Sequence, residues 1–242
     1  MEIIWVRLPP GDAVLGNDAW HDIDETQLDP SVRRELANNG FRAGVIGGTI
    51  PATIANALNM NGSPPDEDAA TKETKAEDLV SDAVVHGRVQ QVRRNQRTEI
   101  QASDVYPSLP LLTSGGRELS GRTYERAQAI YALKVDPQPD RTALLELTPE
   151  LHHGSPRIQW TQGDDGTGLL RQAPLRDREV FNQLQMSVRL APGEMLVLMS
   201  LPDSRSRLAD YFHMVDSSEG RQPKLILIRL AEVPPSDTFA NL

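Results

Sequence analysis

The segment Phe181–Leu201, "FNQLQMSVRLAPGEMLVLMSL", constrains the fold more than any other part of the chain. Leu184, Met186, Val188 and Leu190 alternate with Gln183, Gln185, Ser187 and Arg189, the period-two pattern of a strand with one covered face. Ala191-Pro192-Gly193-Glu194 follows, with Pro and Gly in the order that a type II turn requires. Met195–Leu201 is then apolar on both faces, as expected of a central, covered strand. Near the C-terminus "KLILIRLAEV" repeats that two-faced pattern.

The remaining elements follow from pattern and punctuation. "EIIWVRL" (residues 2–8) is a short strand stopped by Pro9-Pro10-Gly11. In "DPSVRRELANNG" Asp29 can cap a helix, Pro30 takes its first position, and Asn38-Asn39-Gly40 ends it. "FRAGVIGG" reads as a short buried strand and "PATIANALN" as a second helix with Ile54 and Leu58 on one face. Residues 1–60 thus form a strand–helix–strand–helix unit. Residues 61–80 carry six acids against two lysines and almost no apolar residue, the signature of a solvated linker or insertion. In residues 81–235 the pattern is β: strand-length pieces surround Val84-Val85, Val89 and Val92. Ala127, Ala129, Tyr131, Leu133 and Val135 alternate through one long strand, and Ala143, Leu145 and Leu147 through another. Residues 236–242 are a tail. The fold class is α+β, with a mainly antiparallel C-terminal sheet and helices gathered at the front.

Composition bounds the partners. A chain of 242 residues can bury a substantial core. Its net charge of −9 argues against nucleic acid or an anionic membrane as the partner of the whole molecule. The absence of cysteine excludes disulfides, thiolate metal sites and cysteine nucleophiles. No apolar run reaches the roughly 18–20 residues of a membrane helix. The start "MEIIWVRLPP" reads as a strand and not as a secretory signal.

The most conspicuous chemical candidates are His152 and His153, between "LELTPEL" and Gly154-Ser155-Pro156. Adjacent residues on a strand face opposite ways, so the pair cannot grip one ion without a bend. His21, beside Asp22, Asp24 and Glu25, could join one of them only through the fold. The expectation is a strand end, with one imidazole packed, the other solvated, and Gly-Ser-Pro turning the chain. "GDDGTG" (163–168) lacks the ligand spacing of a calcium loop and reads as a hairpin loop. "VIGGTIP" (45–51) lacks both phosphate-binding spacings. "RVQQVRRNQR" (88–97) holds four arginines and no acid, and reads as a solvated strand face, a complement to the acidic 61–80 segment, or a docking strand. No Gly-x-Ser-x-Gly elbow, His-Glu-x-x-His helix or fixed carboxylate pair is present. No catalytic, cofactor-binding or metal-ligating residue is therefore assigned, and no cofactor.

The order of these elements resembles the core β-domain of bacterial secretins. "IIWVRL", "VRRELANNGFRAGVIGG", "ALKVDPQPDRTALLELTPEL", "VRLAPGEMLVLMSL", "RLADYF" and "KLILIRL" occur in the order of that domain's elements. Two departures stand out: no long alternating strand pair is evident where a secretin carries its membrane-crossing hairpins, and Met199-Ser200-Leu201 replaces the usual Gly-Gly-Leu. The resemblance implies a reduced, soluble relative: a non-enzymatic, envelope-associated structural or assembly protein that binds protein partners or itself. It places the chain in the periplasm or envelope after loss of a leader; without it the chain reads as cytoplasmic. The alternatives are a metal-dependent hydrolase using His152 and His153 with nearby acids, and a protein-binding module.

Overall fold

A computed structural model describes residues 1–9, 12, 16, 20–59, 85–115, 118–162, 170–202, 204–217 and 220–233. The acidic 61–80 segment, the 163–168 loop and the 236–242 tail lie outside the described residues. The elements are β1 (Glu2–Arg7), α1 (Pro30–Asn38), β2 (Phe41–Ile46), α2 (Ala52–Asn59), β3 (Val85–Val89), β4 (Thr98–Gly115), β5 (Glu118–Pro137) and β6 (Ala143–Gln162). They continue with β7 (Leu170–Val180), β8 (Met186–Leu190), β9 (Met195–Ser200), α3 (Leu208–His213), β10 (Met214–Ser217) and β11 (Gly220–Arg229). The protein is mostly antiparallel β-sheet with few helices.

Two sheets form. The first has the order β2-β9-β11-β1-β3, with β10 also on β11; the second has the order β4-β5-β6-β7, with β8 on β6. Although β1 and β2 belong to the front of the chain, β9 and β11 lie between them in the sheet. Across this sheet Ile3, Ile228, Leu196 and Val45 stand in register on the face that meets the second sheet. The opposite face carries Val6, Met195, Val197, Met199, Leu225 and Leu227, packed against Trp20, Ile23 and Ile54. That three-layer arrangement is why Met195–Met199 of β9 and Leu225–Ile228 of β11 are apolar at every position: both faces are covered. Gly44 permits the outer layer to close, since a Cβ there would stand 2.6 Å from Ile23 Cγ2.

Leu184, Met186, Val188, Leu190, Leu196, Leu198, Leu225 and Leu227 are all buried. The alternating strand begins at Met186 and not at Leu184, because Asn182–Leu184 forms a 3-10 turn that still buries Leu184. Glu194 N donates to the Ala191 carbonyl at 3.0 Å and Gly193 has φ +92°, which is the expected type II geometry.

The two sheets are joined at α3, all six of whose residues are buried. Phe41, Tyr131 and Phe212 pack there edge to face, with ring centres 4.8–6.5 Å apart. Tyr131 Oη lies 2.7 Å from His213 Nε2, and His213 Nδ1 lies 3.0 Å from the Lys224 carbonyl. A carbonyl only accepts, so Nδ1 carries the proton and Nε2 accepts from the tyrosine. Burial, reinforced by the Lys224 charge, pushes His213 down to about 3, and burial pushes Tyr131 well above its ordinary value.

Two predictions follow from this frame. No atom stands within 4 Å of a Cβ placed on Gly193, so Gly193→Val costs backbone strain alone. We expect a loss of about 1–2 kcal/mol, read as a lower Tm; an unchanged Tm would count against the turn. For His213 the folded value lies below the unfolded one. Between about pH 6.5 and 3 the unfolded chain therefore binds the proton that the folded chain refuses, and stability falls as pH falls. The slope approaches about 1.4 kcal/mol per pH unit. His213→Gln, which donates and accepts without titrating, should flatten urea-derived stability between about pH 6.5 and 5.5, above the range where most carboxylates titrate.

Candidate functional site: the fork between two β-arms

The long strands of the second sheet do not run straight. In β4 the register to β5 shifts between Gln101 and Val105, so Ala102, Ser103 and Asp104 bulge opposite Ala129. In β5 Arg126 takes φ +51°. In β6 the register to β7 shifts between His153 and Arg157, and Gly154 takes φ +74°. These irregularities stand side by side, since Gln128 is the register partner of both Val105 and His152. Bulges bend a strand and raise its twist, and two of them, with the left-handed Arg126 between, divide the sheet at one level. Below it β5 and β6 pair from Pro137↔Ala143 to Gln128↔His152; above it each pairs only with its hairpin partner among the described residues. Two two-stranded arms result: Val105–Gly115 with Glu118–Gln128, and Arg157–Gln162 with Leu170–Leu175.

His152 and His153 sit in the crotch of this fork. They are not a strand end, and Gly154-Ser155-Pro156 is not a turn: β6 continues to Gln162, absorbing the three residues as a bulge because Gly154 can adopt positive φ. Nor is either imidazole fully solvated, for both side chains are half-buried. His152 Nε2 lies 2.9 Å from Glu150 Oε2, an oxygen that also accepts from Arg97 Nη2 at 2.7 Å. Arg97 pairs with Glu99 as well. Burial alone would raise the Glu150 carboxyl, but the hydrogen bond to His152 and the Arg97 charge outweigh it and hold it below the usual range. His153 packs its ring 5.0 Å from that of Tyr124, over which the Arg122 guanidinium lies at 4.8 Å. Arg122, on the first arm, reaches Glu179 of β7 at 3.2 Å, so this arm is tied to the sheet just below the second one.

The other sequence candidates are placed apart. Asp24 caps a 3-10 turn through the Thr26 amide, and Glu25 forms a bidentate pair with Arg42, itself stacked 4.3 Å over Trp20. His21 and Asp22 are exposed. Among the described residues no group of three or more His, Asp or Glu side chains could hold a metal ion. The arginine-rich stretch is divided: Arg88 lies on the edge strand β3, Arg94 pairs with Asp136 at 2.9 Å, and Arg97 joins the Glu150 cluster. Gly47 and Gly48 lead from β2 toward α2 and are exposed.

The arms are what sequence reasoning missed. A long strand pair that the sequence does not show as an alternation is present: β4 pairs with β5 over nearly its whole length. Along the arms apolar side chains face outward: Ile158 is 74% and Trp160 66% exposed, and Leu112 and Leu175 are also exposed. No helix among the described residues is long and apolar enough to cross a membrane, which says nothing of strands. No protein-family model, curated protein or solved structure matches the chain.

Arg97→Met tests the crotch. It leaves the buried Glu150 carboxylate with the His152 imidazole as its remaining hydrogen-bond partner. Because Arg97 is partly exposed, we expect a loss of about 1–2 kcal/mol rather than the larger cost of a fully buried pair. Chemical denaturation at pH 8 would measure it.

Proposed function

We propose that this chain is a non-enzymatic, envelope-associated structural or assembly protein whose two β-arms are its surface for self-association. The observation that carries the reading is the arms themselves: two-stranded ribbons with outward apolar side chains, whose outer edges pair with no further named strand among the described residues, the α3 region touching β4 near Pro110 and Leu112. Open edges are templates for pairing with another chain unless they are blunted, and exposed apolar surface at such an edge marks an interaction site. The secretin-like order of elements supports the same reading. In it the strand–helix–strand–helix unit of residues 1–60 belongs to the body that carries the arms.

A metal-dependent hydrolase built on His152 and His153 has less support, because one imidazole is engaged with Glu150 and the other with Tyr124. A docking strand along residues 88–97 is likewise weakened by the intramolecular pairs of Arg94 and Arg97. Mass photometry of the purified full chain tests the scaffold reading. A closed, ring-sized oligomer is the expected result, and Ile158→Asp with Trp160→Asp should dissolve it while leaving the Tm of the body within about 2 °C. A strict monomer at micromolar concentration counts against it.

A further inference from the structure

Where the β4 bulge stands away from β1, β3 and β11, the two sheets part around a pocket of about 310 Å³, within the size range of small-molecule sites. Trp5 and Tyr106 supply its aromatic walls, and Trp5 is fixed by its indole N–H to the Gln101 carbonyl at 3.2 Å and by His86 against its ring. The charged and titratable groups around it are Arg7 from β1, His86 from β3, Asp104 and Tyr106 from β4, Asp216 from β10 and Lys224 from β11.

Lys224 is the anomaly. It is 8% exposed, yet its ammonium makes a single hydrogen bond among the described residues, to the Ala102 carbonyl of the bulge. An ammonium has three donors, and a buried cation is costly unless an anion pairs with it. No carboxylate forms an ion pair with it among the described residues: the Asp104 charge acts on Lys224, but that side chain is exposed and makes no hydrogen bond to the ammonium, and Asp216 is exposed beside Arg221 at 3.7 Å. A cationic ligand would be repelled by Lys224 and Arg7 together. A carboxylate would supply the missing partner, and the aromatic walls suit an apolar body attached to it.

We infer that this pocket binds a small organic carboxylate, its anionic head on the Lys224 ammonium with Arg7 alongside and its apolar body against Trp5 and Tyr106. Tyr106 stands at the base of the first arm, held by its hydroxyl on the Tyr211 carbonyl at 3.1 Å, whereas the substitutions that test assembly lie on the other arm, so either reading can fail without the other. Burial pushes Lys224 down to about 8, with Asp104 opposing and Arg7 adding to the shift. An anion in contact favours the charged amine, so binding above that value takes up a proton.

Isothermal titration of the full chain at about pH 8.5, in two buffers of different ionisation enthalpy, reads both events. The probes are phenylacetate and indole-3-acetate, each beside its uncharged amide. At least one carboxylate should bind with proton uptake, its amide should bind roughly tenfold more weakly, and Lys224→Met should lose roughly tenfold with its circular dichroism retained. Binding of neither carboxylate at about 10 mM, equal binding of the amide, or binding without proton uptake overturns the proposal. The last two comparisons use the unaltered protein, so they decide even if Lys224→Met does not fold.

Discussion

A line of two hydrogen bonds, Tyr131 to His213 and His213 to the Lys224 carbonyl, crosses the core from one sheet to the other. Apolar packing is non-directional, and faces as uniformly aliphatic as those of β9 and β11 would tolerate many relative positions. The buried imidazole does not: its donor and acceptor are both committed, and leaving either unmet in the core would be expensive. Lys224 doubles the constraint, because its side chain reaches Ala102 on β4 while its carbonyl receives His213. Through one residue of β11 the position of the second sheet is therefore fixed at two points. Phe41 and Phe212 fill the space around that line.

The fork follows from where this tie ends. Up to Gln128 and His152 the second sheet has a first sheet to lie on, and its inward face holds Ala129, Tyr131, Leu133, Leu145 and Leu147. Beyond that level the two bulges and Arg126 release the arms, which then keep only what each hairpin supplies. On β4 the exception is α3, where Tyr106 Oη donates to the Tyr211 carbonyl and Tyr211 donates back to the Pro110 carbonyl. Leu112 N also donates to the Ser206 carbonyl, so this arm is braced along its base.

The body of the fold was legible because covered strands declare themselves. The alternation at Met186–Leu190, the Pro192-Gly193 turn and the two-faced apolarity of β9 are local signals with one physical meaning each. The arms were not, because a bulge inverts the alternation that reveals a strand. On β4 the buried apolar positions are Ile100 and Ala102, then Leu109 and Leu111; on β5 the side chains of the core between the sheets are Tyr124, then Ala127, Ala129, Tyr131, Leu133 and Val135. Each strand changes parity at its own bend, so neither presents one long period. Pro107 and Pro110 add to the disguise, although an edge strand tolerates them. At the fork the histidine pair was visible, but its partners were not: Arg97 and Tyr124 lie 55 and 29 positions from His152 and His153 and arrive only through pairing.

The arms have a thermodynamic consequence. A two-stranded ribbon without a covered face is at the margin of stability in water, since it orders its backbone without removing enough apolar surface. In the proposed assembly, the surface that covers Ile158, Trp160 and Leu175 would supply that deficit, and the order of the arms would then follow protein concentration by mass action.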